Sequence, residues 1–67
     1  MDGFKRYVIR RDGEYLVSIP YSDTLYVRWS ENKFDAAKLR RYSTARKIAD
    51  RVNGGVYVLD TLTGVIS

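Results

Sequence analysis

The chain has 67 residues, 45% of them hydrophobic, with a formal net charge of +4 from 12 basic and 8 acidic side chains and with neither cysteine nor histidine. That length makes one domain, residues 1–67, which buries only about 60% of the surface its unfolded chain exposes. The composition excludes disulfide support, thiolate chemistry and a histidine proton shuttle or metal ligand; the positive balance speaks against a DNA mimic and permits nucleic acid as a partner.

No apolar run approaches the roughly 18 residues of a membrane span. The opening six residues, which include Lys5 and Arg6, lack the hydrophobic core of a signal peptide. A cytoplasmic protein with no membrane partner is expected.

Tyr7, Val8, Ile9 and Arg10 and the run over residues 14–19 flank Arg11-Asp12-Gly13, and Asp-Gly between such runs predicts a hairpin. A two-residue turn at Asp12-Gly13 pairs Arg10 with Tyr15 and Tyr7 with Ser18. A longer turn with Gly13 left-handed pairs Arg10 with Glu14, Ile9 with Tyr15 and Tyr7 with Val17. The second register gathers Tyr7, Ile9, Tyr15, Val17 and Ile19 on one face and sets opposite charges across from each other, so the bulged turn is expected. Pro20 cannot donate to a ladder and ends the strand. After Tyr21, Ser22 and Asp23, residues 24–29 alternate as a third strand antiparallel to the second. Leu25, Val27 and Trp29 face one way; Thr24, Tyr26 and Arg28 face the other.

Helical spacing then takes over: Ala45, Ile48, Ala49 and Val52 sit at i, i+3, i+4 and i+7. Ser43 serves as cap, and Asn53-Gly54-Gly55 as stop. Upstream, Asp35 caps a shorter turn through Leu39, with Phe34 and Leu39 in the two hydrophobic-staple positions. A break at Ser43 is expected. One helix over 35–53 is the alternative, because Leu39, Tyr42, Ala45, Ala49 and Val52 also share a face. Val56, Tyr57, Val58 and Leu59 form a further strand. Asp60-Thr61-Leu62-Thr63-Gly64 turns it, with Gly64 in the bulge position, into a short final strand at Val65, Ile66 and Ser67. The expected fold is α+β: an antiparallel sheet with one main helix, in the order β-β-β-α-β-β.

Nothing is set up for catalysis. Asp12 and Asp60 belong to turns, Asp35 to a cap, Glu14 to a cross-strand pair with Arg10 and Asp50 to a helix surface. Gly54-Gly55 follows a helix, the reverse of the order a phosphate cradle uses, and no serine or threonine has a histidine base. A non-enzyme without cofactor or metal is expected.

Two clusters remain as candidate sites. Lys38, Arg40, Arg41, Arg46, Lys47 and Arg51 place half of all the cations within 14 residues. If the helix begins at Ser43, Arg46 and Lys47 oppose its dipole and share that end with free backbone N–H groups, a place for an anion. The blander reading is a solvated helix face with an Arg46–Asp50 pair. The second cluster follows from geometry. A single helix covers one face of a sheet, which leaves Val8, Leu16, Tyr26 and Arg28 as an exposed apolar-aromatic patch suited to a partner protein or a homodimer. Aromatic residues beside Arg28 also suit stacking of unpaired bases.

The run from Ala37 through Tyr42-Ser43-Thr44-Ala45 and Ile48-Ala49 to Gly54-Gly55-Val56, with Tyr7-Val8-Ile9, Asp12-Gly13 and Trp29-Ser30 before it, resembles uncharacterised small proteins of phages and prophages of Gram-positive bacteria. The matching motifs are helix-packing and turn motifs, so the resemblance carries over no functional residue. It implies an accessory phage product that binds a host protein, a defence nuclease being one concrete target. The functional expectation is thus a non-enzymatic interaction protein. The alternative is a small DNA- or RNA-binding accessory protein that sets its basic helix on phosphates.

Overall fold

The structure, a computed structural model, describes residues 3–18 and 27–67. The expectations placed on Ile19, Pro20, Tyr21, Ser22, Asp23, Thr24, Leu25 and Tyr26 lie outside them. The fold is α+β. Strands β1 (Lys5–Arg11), β2 (Glu14–Leu16) and β3 (Trp29–Ser30) are followed by a 3-10 turn (Lys33–Asp35), helix α1 (Tyr42–Val52) and strand β4 (Gly55–Asp60). The four strands form an antiparallel sheet in the order β3-β2-β1-β4.

The hairpin register differs from the expected one. Arg10 pairs with Tyr15 and Arg11 with Glu14, so the turn has two residues and no bulge. Asp12 and Gly13 both have positive φ, 52° and 82°, the backbone that Asp-Gly favours and that matches the twist of the flanking strands. The bulged register rested on the assumption that one face alone is buried. Here both faces are. Ile9 and Leu16 join Leu39, Ala45, Ile48 and Ala49 beneath α1, with Tyr7, Val27, Trp29, Val52 and Val56 packed alongside. Val8 and Tyr15 join Ala36 and Leu59 on the other face, with Ile66 against them. Alternate residues of β1 therefore feed two cores, and moving Tyr15 to the second face leaves no apolar side chain stranded.

Val8 and Leu16 are accordingly 0% and 1% exposed, not members of an open patch, and they lie on opposite faces. The expectation failed because it counted the helix as the only available cover. Ala36, just after the 3-10 turn, and Ile66 of the C-terminal segment cover the second face. Each fully buried aliphatic side chain of this kind is worth about 1.5–3 kcal/mol.

The hairpin is also forked. Beyond Leu16 the chain of β2 turns toward β3, where Val17 N–H donates to the Arg28 carbonyl at 2.8 Å. Residues 37–39 fill the gap. Ala37 N–H donates to Leu16 O (2.9 Å), while Tyr7 and Leu39 exchange both backbone bonds (2.8 and 2.9 Å). Tyr7 thus pairs with Leu39 rather than with Val17. This insertion satisfies backbone groups that the fork would otherwise strand in the interior.

The helical region is in two pieces, but their caps differ from those expected. Asn32 caps the 3-10 turn through its side-chain oxygen on Phe34 N–H at 2.9 Å. Asp35 instead accepts from Ser30 Oγ at 3.0 Å. Phe34 and Leu39 form no staple, since Phe34 is exposed and Leu39 lies in the sheet gap. Helix α1 begins two residues before the expected Ser43 cap would place it, with Arg41 in the cap position and no side-chain cap bond. Its end is as expected in place. Asn53 takes the left-handed conformation (φ 57°) and its N–H returns to Ala49 O. At the C-terminus, Gly64 has φ 79° as the turn requires, but the expected fifth strand over 65–67 is reduced to an isolated bridge between Leu59 and Ile66, so the sheet has four strands and the order is β-β-β-α-β.

Arg11 ties the end of the hairpin to the end of the helix. Its Nη1 donates to Val52 O at 2.7 Å, and its guanidinium lies 4.3 Å from the centroid of the Trp29 ring. It therefore caps a helix C-terminus and stacks on an aromatic face at once, while the expected Arg10–Glu14 pair gives way to Arg10 opposite Tyr15, its guanidinium 5.5 Å from that ring's centroid. Arg11→Ala is expected to cost about 2 kcal/mol, read as a lower urea midpoint with altered native Trp29 fluorescence. An unchanged midpoint would show that the latch contributes nothing.

Candidate interaction surfaces

The six basic residues are not brought together as one cluster. Lys38 turns away from the helix: its ammonium donates to the Phe34 and Ala36 carbonyls at 2.9 and 3.1 Å, bracing the turn beside the second core. Arg40 and Arg41 are exposed on the approach to α1. Because α1 starts at Tyr42, Arg46 and Lys47 fall in its second turn, and the expected conflict with the dipole is absent. Arg46 forms the i,i+4 pair with Asp50 at 3.1 Å on exposed side chains, worth a few tenths of a kcal/mol. Lys47 and Arg51 lie one turn apart on the same exposed face, and Arg51 stands in the last turn, where a cation favours the dipole.

Of the second candidate patch, Val8 and Leu16 are buried, Tyr26 lies outside the described residues and Arg28 is exposed, with its backbone N–H on Ser18 Oγ at 2.9 Å. No shared apolar face unites the described members.

Exposed apolar surface occurs elsewhere. Leu62 is 70% exposed, and Val65, Phe34 and Phe4 are each more than half exposed. All four gather at the turn after β4. Asp60 shapes this turn: its Oδ1 accepts from Leu62 N–H at 2.9 Å and Thr63 N–H at 3.2 Å. Thr61 donates through its backbone and hydroxyl to Phe4 O, at 2.7 and 2.6 Å, holding the N-terminal approach against the turn. On the other side the Phe34 ring lies over Gly64, where an added Cβ would meet Cζ at 3.1 Å. The sequence signal for this surface is Leu62, a leucine set among Asp, Thr and Gly in a turn.

Among the described residues, no group of three or more Asp or Glu is placed to hold a metal ion, and no helix is long and apolar enough to cross a membrane. These features define a small α+β domain with a basic helix face and an apolar turn region. Comparison with protein-family models, curated proteins and solved structures gives no match.

Proposed function

We infer that the chain is a small non-enzymatic interaction protein that binds a protein partner through the apolar surface around residues 60–65. One observation carries this reading: Phe4, Phe34, Leu62 and Val65 stand more than half exposed around a turn held in place by Asp60 and Thr61. Large apolar side chains on a fixed scaffold make interface anchors at little ordering cost. The resemblance to small phage proteins supplies the setting, a host cytoplasm, and a class of target, a host protein such as a defence nuclease.

The test is affinity capture from nuclease-treated host lysate, with wild type beside Leu62→Asp/Val65→Asp. A protein retained by wild type and lost with the double variant, which keeps the native circular dichroism, is the expected result. Identical captures refute the surface. A change from dimer to monomer on gel filtration, with no captured protein, would show that the surface serves a second copy instead.

A further inference from the structure

The charge of this molecule is segregated. Between positions 40 and 51 the chain carries Arg40, Arg41, Arg46, Lys47 and Arg51 against the single carboxylate of Asp50. That stretch has a net charge of +4, equal to the net charge of the whole chain, so the remaining residues balance to zero. All five cations are exposed, and they occupy the outer side of α1 and its approach, while Ala45, Ile48 and Ala49 hold the inner side against the sheet. The only carboxylate is engaged with Arg46. Four of the five cations are arginines, whose planar donors match phosphate oxygens in pairs.

The outer side of α1 is dominated by charge. Ser43, Thr44, Arg46, Lys47, Asp50 and Arg51 are its polar exposed residues. One aromatic, Tyr42, is 54% exposed at its N-terminal edge, with its ring centroid 5.6 Å from that of Tyr7. Protein interfaces are depleted of charge at their centre. A surface whose middle is charged and whose single aromatic lies at the rim fits a partner that supplies dense negative charge and asks for little apolar contact. We propose that this face binds the phosphate backbone of nucleic acid, independently of sequence, at a place separate from the apolar turn region. Lys47 and Arg51, one turn apart, contact one stretch of backbone, and Arg40 and Arg41 extend the contact beyond the start of the helix.

The test uses fluorescence anisotropy of a labelled DNA duplex of arbitrary sequence, about 20 base pairs long. With three or four phosphate contacts, affinity falls about 40- to 150-fold between about 50 and 200 mM salt. Arg40→Gln/Lys47→Gln lowers the log–log salt slope by about 2 and weakens binding about tenfold at the lower salt. Lys5→Gln/Arg28→Gln, which removes the same two charges from exposed positions outside this stretch, leaves the slope unchanged. Absence of binding at low salt, or equal losses in the two double variants, overturns the proposal. So does competition by polyglutamate as effective as that by unlabelled duplex, which would assign the face to an acidic protein.

Discussion

Val8→Asp is expected to leave the domain unfolded in water. The side chain is wholly enclosed by Tyr15, Ala36, Leu59 and Ile66. Enclosing an unpaired carboxylate, or protonating it to avoid that, costs several kcal/mol. A domain of this length has a total stability of about 3–10 kcal/mol, so one substitution removes most or all of it. The measurement is far-ultraviolet circular dichroism with a proton NMR spectrum, with Leu62→Asp as the partner experiment. The two substitutions introduce the same charge, but Leu62 is exposed, and its variant is expected to keep a dispersed native spectrum. A native spectrum from Val8→Asp would mean that the second core does not form and that this face of the sheet stands open.

Gly54→Val is expected to destabilise the domain by about 3 kcal/mol, with Gly54→Ala falling between it and wild type. The cause is crowding rather than backbone conformation, because the left-handed position at the end of α1 belongs to Asn53. A Cβ on Gly54 would lie 2.8 Å from Cγ2 of Ile9 and 3.3 Å from the Arg10 carbonyl. Both neighbours are constrained: Ile9 is fully buried and Arg10 is paired within the sheet. The helix can return to β4 at this close approach only without a side chain there. Urea midpoints for the series, with Gly3→Ala as reference because nothing lies within 4 Å of that site, provide the measurement. If Gly54→Val unfolds at the wild-type midpoint, the helix end is not held against β1 as described.

Features governed by short-range chemistry were legible in the sequence. The helix from its Ala45, Ile48, Ala49 and Val52 spacing, its stop at Asn53, the Asp60–Gly64 turn and the return at Ile66 all follow from residues within a few positions of one another. The hairpin register was not legible. The alternation that favoured a bulge counts apolar residues on one face and has no means of knowing that Ala36 and Ile66 provide a second core. The same blindness created the open patch of Val8 and Leu16. It also assigned Phe34 to a staple, when that ring lies over Gly64, 30 positions along the chain. For the candidate surfaces, composition located the basic residues, but backbone geometry separates Lys38 from the helix face, and nothing local marks that separation.

The fork in the β1–β2 hairpin constrains how this chain reaches its native state. A hairpin that zips fully on its own would close the cleft that Ala37 and Leu39 must occupy. The two arms therefore stay apart until the middle of the sequence arrives, and β2, at three residues, is too short to hold its place unaided. Assembly must wait for contacts between distant parts of the chain, which slows the search but also couples the pieces. Partly zipped forms that retain the hairpin alone gain little, and the domain should appear and disappear as a single unit.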